Sequence, residues 1–364
     1  MLMLRWRWWH CFGIRRGKRS CCVVKGVSVR LRKSCSDPAS IQFPFQDEIA
    51  AGESGHGYVL RMSSGNGLRS MVPVKQLLGK SHSMALDAND APYLAHWFGA
   101  SVSQLSSALE QIPTGKRSGG CGYAGQTLGR SYFLNRSFAR VCPNCLDEQG
   151  YCRAAWDFSL CVACVRHQRA LIDSCPTCAR ALSWSRPALG ICCSGCPLIG
   201  GGFPVAPSDA ELVIAQAIDM QMCDEMSFSG EKKSVAPSGG WSDLIRNLNL
   251  DGMSRVVYAL ATCAAYDELN PSRPRSRHAM TKSRETIKIA AAFGSRLAKL
   301  EPISLVAHRP SALIGLLCEL VSVTPSSEAR ESSTAQSILG WLLSNCSRST
   351  LRSQSQPLAQ RALF

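Results

Sequence analysis

From Glu48 onward, apolar positions recur mostly at helical spacing. Residues Glu48 to Ser64 predict a helix whose apolar side is Tyr58, Val59, Leu60 and Met62, ended by Gly65-Asn66-Gly67, which tolerate positive φ. Residues 94–109 predict a helix, a turn at Gly99 and a second helix capped by Ser101 or Ser103. Leu94, Ala95 and Phe98 would pack against Val102, Leu105 and Leu109. Ser208 is placed to cap a helix over Asp209 to Met220, whose acidic first turn suits the helix dipole. Further helical patterns follow at 241–249, 252–266, 281–300, 310–321 and 334–346. Stretches rich in Gly, Ser and Pro at 113–126, 200–207 and 228–240 read as loops or linkers, and polar stretches at 323–333 and 347–360 as loops or a frayed end. The 113–126 stretch is no phosphate loop, because Lys116 precedes most of its glycines and no GKS/T-to-helix step follows.

The interval between these helical halves carries a second pattern. Four pairs of ligand-type residues, each with a two-residue gap, follow one another: Cys142 and Cys145, Cys164 and His167, Cys175 and Cys178, Cys193 and Cys196. The segments between them are 146–163, 168–174 and 179–192. Zinc takes thiolate and imidazole ligands in fours, and two ligands three apart in a tight turn can face one ion. Eight ligands therefore predict two zinc ions per chain. One set would be Cys142, Cys145, Cys164 and His167, the other Cys175, Cys178, Cys193 and Cys196. Cys161 also stands three before Cys164 and could replace His167, and interleaved pairing is a further arrangement. Cys152, Cys161 and Cys192 are surplus thiols. A full set of four at each site reads as structural, since catalytic zinc keeps an open position. No thioredoxin-like βαβ pattern surrounds the pairs to favour redox dithiols.

Composition narrows the class. Of 364 residues, 45% are apolar, as in globular proteins. Nineteen cysteines, an odd number with no secretory signal core, suggest metal binding in a reducing bacterial cytoplasm rather than a disulfide framework. No apolar run reaches the ~20 residues of a membrane helix.

The net charge of +15 is unevenly spread. Residues 1–36 hold ten Lys or Arg and no acid, leaving only +5 for the rest. This arginine-interrupted tail reads as a disordered leader or an upstream start. A second basic stretch, 270–310, has nine cations and two acids, with Arg284, Lys288 and Arg296 on its helix. It is the candidate contact for an anionic partner such as DNA. In the 94–109 pair, Ser103 and Gln104 are the second helix's groove-facing candidates, although the same corner shape also serves packing or protein contact. Eight arginines against four acids lie in the cysteine region. Trp156 and Trp184 stand among them, either for nucleic acid or as core for small metal modules.

These residues resemble the TniQ family, the target-selection proteins of transposons, which includes the TnsD proteins. The likeness rests on Cys142-Pro-x-Cys145-Leu-x-Glu-x-Gly-Tyr151-x-Arg153-x-x-Trp156, then Cys164-x-x-His167, Leu171, Cys175-Pro-x-Cys178, Leu182-x-Trp184 and Cys193-x-x-Cys196. In front stand Gly52-Glu53-Ser54, Leu60-Arg61 and Asn66-Gly67. Gly57-Tyr58 replaces the family's usual Ser-Trp pair. The likeness covers about residues 43–200. It implies a non-enzymatic adaptor that ties a target-recognising element to an AAA+ transposition ATPase, which recruits the transposase. Within the family, some members bind an attachment site in DNA, some look like dimers docked on an RNA-guided CRISPR effector complex, and others belong to mercury-resistance-type elements.

The expected fold is mainly α with a central double zinc-binding module, between an N-terminal helix-turn-helix-like region and a C-terminal helical domain. Expected boundaries are a leader at 1–42, a helical region at 43–129, the double zinc module at 130–200 and the C-terminal domain at 205–364. The rival reading is a zinc-dependent DNA-binding transcription regulator. A zinc hydrolase or nuclease lacks a spare His/Asp/Glu cluster beside the cysteines.

Overall fold

The computed structural model describes residues 22–24, 27–29, 40–112, 120–136, 138–200, 205–222, 241–246, 248–264 and 280–298, with short pieces at 315–316, 335–336 and 339–340. Among these residues helices dominate, and strands form three two-stranded antiparallel hairpins. The first pairs β1 (Cys22–Val24) with β2 (Val27–Val29), inside the segment expected to be an unstructured leader. The core is joined at Ile41 and Phe43, and the Phe43 ring stacks on Phe98 at 4.9 Å.

Helix α1 spans Gly55–Gly65, so the expected start at Glu48 is seven residues too early. The residues ahead of it are spent otherwise. Gly52 takes a φ of 72°, Glu53 forms an antiparallel bridge with Arg153, and Ser54 caps the helix through Gly57 N at 3.3 Å. The expected stop holds. Asn66 is the C-cap, and its amide donates to Phe45 O and Met62 O while its carbonyl accepts from Phe45 N. Gly57-Tyr58 is a packed pair. A Cβ on Gly57 would sit 2.8 Å from Cys152 Cβ, and the buried Tyr58 hydroxyl donates to Asp47 O at 2.9 Å.

Short α2 (Val72–Leu77) leads to α3 (Ala91–Phe98) and α4 (Val102–Ala108). Gly99, at φ 78°, ends α3, and Ser101 is the N-cap of α4, in the predicted order. Leu94, Ala95, Phe98, Leu105 and Leu109 are buried as expected, but Val102 is 48% exposed. Val102 is the first residue of α4, and the inward stripe runs through Leu105, Ala108 and Leu109 instead.

The expected loop at 113–126 is corrected in its second half. β3 (Cys121–Tyr123) and β4 (Gln126–Leu128) form a hairpin. Its turn residues Ala124 and Gly125 both have positive φ, the combination that matches the strands' twist. Helix α5 (Pro143–Gln149) and a two-residue ladder of β5 (Ala163–Cys164) with β6 (Arg169–Ala170) supply the regular structure of the cysteine region. Then come α6 (Asp209–Met222), α7 (Trp241–Arg246), α8 (Leu250–Ala264) and α9 (Met280–Ala298). Ser208 and Glu211 form a reciprocal cap on α6, with Ser208 N to Glu211 Oε2 at 2.8 Å and Glu211 N to Ser208 Oγ at 3.4 Å. The helices expected at 310–321 and 334–346 fall outside the described residues except for helical pairs at 315–316, 335–336 and 339–340. The loops expected at 228–240, 323–333 and 347–360 lie outside them altogether.

One splice joins the front helices to the cysteine region. Ser54 N donates to Cys152 O and Ala154 N donates to Gly52 O, both at 2.8 Å, flanking the Glu53–Arg153 bridge. Ser54 Oγ also donates to Asp157 Oδ2 at 2.6 Å, and Tyr123 OH donates to the same oxygen. Asp157 is buried, and loss of hydration pushes its carboxyl up to about 7 despite those two donors.

An acid whose pKa is raised on folding is most favourable when protonated, below the unfolded value near 4. Its contribution is lost as pH rises from there through about 7. Asp157→Asn should therefore gain stability relative to the parent between pH 5 and pH 8, by about 2–3 kcal/mol. Urea melts of both proteins at those two pH values check this. An equal pH response in the two would contradict it.

Candidate metal centres

Two clusters of thiol and imidazole groups form where the sequence spacing places them. In each, the ligand-type atoms all lie within 4.8 Å of one another, so each could hold a metal ion.

The first cluster is Cys142, Cys145, Cys164 and His167, as expected. Cys142 is the extended N-cap of α5 and Pro143 opens the helix, which turns Cys145 back toward Cys142. Cys164 ends β5, and His167 lies in the turn to β6, its backbone N–H donating to Cys164 Sγ at 3.4 Å. His167 Nδ1 faces three sulfurs, at 3.5 Å (Cys142), 3.2 Å (Cys145) and 3.6 Å (Cys164). Its other nitrogen, Nε2, is 2.9 Å from Glu148 Oε1, and Glu148 Oε2 takes an ion pair from Arg166 at 2.9 Å. The alternative partner Cys161 is outside this cluster. It is buried, its Sγ–H points to Ala163 O at 3.7 Å, and burial pushes its thiol up to about 12.

The second cluster is Cys175, Cys178, Cys192 and Cys196. It corrects one expected member, because Cys192 stands where Cys193 was predicted. The reason is the register of the last turn. Cys192 N donates to Cys196 O at 2.9 Å, and Ile191 bridges Pro197. Neighbouring residues on such a ladder face opposite sides. Cys192 therefore faces inward, its sulfur accepting the N–H groups of Ser194 and Cys196, both at 3.3 Å. Cys193 faces outward, is exposed, and meets Ser183 Oγ at 3.3 Å. Gly195, at φ 88°, lets the five-residue turn close. The two-residue-gap rule reads Cys193 with Cys196. Only the turn's pairing identifies Cys192, and the Ser194-Gly195 turn residues were its faint signal.

The cysteine region's other candidates are mostly committed to the fold. Trp156 and Trp184 are buried, as core for small modules. Arg136 pairs with Glu110, Arg153 with Asp219 and Arg166 with Glu148, and Arg169 donates to Asn144 Oδ1 at 2.6 Å. Arg140 and Arg186 are fully buried and spend their guanidinium groups largely on main-chain carbonyls. Arg130 and Arg180 are exposed.

The nucleic-acid candidates are scattered. Ser103 and Gln104 are exposed at the start of α4, but Glu48 Oε2 accepts from Ser101 N at 3.2 Å, so a carboxylate already occupies that helix start. Arg284 is clamped on Glu211 at 2.6 and 3.1 Å, an ion pair with a buried carboxylate that sequence reasoning did not foresee. Lys288 is exposed, and Arg296 lies near the end of α9. No described helix is long and apolar enough to cross a membrane.

No curated protein gives a significant match to the sequence. Residues 44–171 match the TniQ family model, from the entry segment beside Asn66 through the whole first cluster. The chain thus carries a TniQ domain over residues 44–171.

Proposed function

We propose that this chain is a non-catalytic adaptor for target-site selection in DNA transposition, linking target DNA or an RNA-guided effector to an AAA+ ATPase and its transposase. The observation that carries the reading is the TniQ domain, which implies a transposition-associated target-selection role. The two clusters, one inside that domain and one just after it, are closed sets of four, which suits scaffolding rather than chemistry at an open metal position. The rival reading, a transcription regulator, gains nothing from α4, which has seven residues and a carboxylate at its start. In cells carrying the element, deleting this chain should abolish or redistribute targeted insertions, while the purified chain neither hydrolyses ATP nor cuts or joins DNA. Unchanged insertion sites would sink the proposal.

Zinc is the metal that fits both clusters. A tetrahedron with zinc–sulfur bonds of about 2.3 Å has sulfur–sulfur edges of about 3.8 Å, and zinc–nitrogen bonds of about 2.05 Å give nitrogen–sulfur edges of about 3.5 Å. Cys145–Cys164 at 3.5 Å, Cys178–Cys192 at 3.7 Å and the three His167 distances lie close to these. Glu148 on His167 Nε2 would fix the tautomer that leaves Nδ1 free for the ion. The zinc would be structural, organising the turns that carry its ligands. Elemental analysis should find two zinc per chain. Cys192→Ser should lose the second ion and Cys193→Ser should keep it. The reverse pattern would restore Cys193 as the ligand.

For direct DNA contact, the ion pairs divide the basic helix. Lys288→Ala should weaken binding on all sequences and shallow the log–log salt dependence by about 0.9, as one lost phosphate contact does. Arg284→Ala should instead lower stability by about 1–3 kcal/mol, because it strips the partner from buried Glu211. A full salt-slope change from Arg284→Ala without a stability loss would reverse this division. Filter-binding titrations across salt and thermal melts distinguish the two.

A further inference from the structure

Helix α9 is docked through the same strands that lead into the two clusters. Its first amide, Met280 N, donates to Asp173 Oδ2 at 3.0 Å, a cap supplied from 107 residues away. One turn on, the buried Ser283 Oγ accepts from Arg140 Nη2 at 2.9 Å. The same guanidinium donates through Nη1 to Ser159 O at 2.6 Å and Cys161 O at 3.0 Å.

Arg140 and Asp173 each stand two residues before a cluster member, Cys142 and Cys175. Their strands are tied by the Val141–Ile172 bridge, with reciprocal hydrogen bonds of 3.0 and 2.9 Å. Arg140 and Asp173 are therefore neighbours on one ladder. The ladder is antiparallel, so Cys142 lies beyond one of its ends and Cys175 beyond the other, with the two residues that hold α9 between them. The carbonyls that orient Arg140 belong to the approach to Cys164. A helix start capped by a residue of another segment keeps its cap only while that segment holds its shape.

We infer that metal loading of the two clusters controls the docking of α9, so that only the loaded chain presents this basic helix in fixed geometry. The inference rests on the clusters being metal sites. Helix α9 also packs on α6, α7 and α8, with Arg284 on Glu211 among these contacts, so its first turn should loosen before the rest.

The test is hydrogen–deuterium exchange on the full chain, with metal content measured on the same samples. As a chelator withdraws metal, residues 280–298 should lose protection in step with metal loss and before residues 55–108. Asp173→Ala combined with Ser283→Ala should raise exchange at the start of α9 by about tenfold or more while the front helices stay protected. Protection of α9 that survives complete metal removal, or that fails only together with residues 55–108, would overturn the inference. So would a double variant with unchanged α9 exchange. Purified protein without bound metal would instead overturn the metal reading itself, and with it this coupling.

Discussion

The constraint on which the cysteine region depends is a shortage of regular structure. Between Ala139 and Leu198 there are one seven-residue α-helix, a single 3-10 turn at Ala154–Asp157 and a ladder two residues long, and the remainder is turns and single bridges. Backbone pairing on that scale cannot offset the entropy of ordering some sixty residues, and the apolar core of so small a piece is thin. Cross-links through sulfur and imidazole make up the deficit where metal is bound. This is why the cluster members sit at the ends of the turns, Cys142 as a helix cap, Cys164 at a strand end and Cys192 at the base of a five-residue loop. Asp157, Arg140 and Asp173 then carry that geometry outward, to α1, to α9 and to the main chain between them.

This arrangement also explains why the front motif and the cysteine motif occur in one domain. Gly52, Glu53 and Ser54 are a backbone splice onto residues 152–154, closed by Ser54 on Asp157. Glu53 has a second use, since its buried carboxylate receives Arg61 from α1 at 2.9 Å. These contacts together fix the direction of α1, its cap, and its distance from the first cluster. The motif is mechanical in every contact that it makes.

What could be read from the sequence was local. The ends of α1 and α3 follow from Asn66 and Gly99, the cap of α6 from Ser208 and Glu211, and the first cluster from its spacing, because each depends on residues a few positions apart. Three of the misreadings have different causes. The early start assigned to α1 ignored a bridge to Arg153, a hundred residues away. The choice of Cys193 ignored which side of a turn each thiol faces, a matter of register that a one-residue change reverses. The exposed Val102 followed from placing an apolar residue by type rather than by its position at a helix start.

Charge is the property most changed by folding. As a sequence, the cysteine region carries twice as many arginines as acids, and α9 looks like a cationic face. In the fold, three of those arginines neutralise carboxylates and two are buried among carbonyls. On α9, Arg284 belongs to Glu211 and Lys282 to Glu285 at 2.8 Å. A cation held 2.6 Å from a buried carboxylate has little attraction left for a phosphate, since leaving would strand a charge in the interior. Exposed cations among the described residues include Arg69, Arg130, Arg180, Arg246 and Lys288. Within the described residues, then, much of the positive charge seen in the sequence serves to hold the fold together.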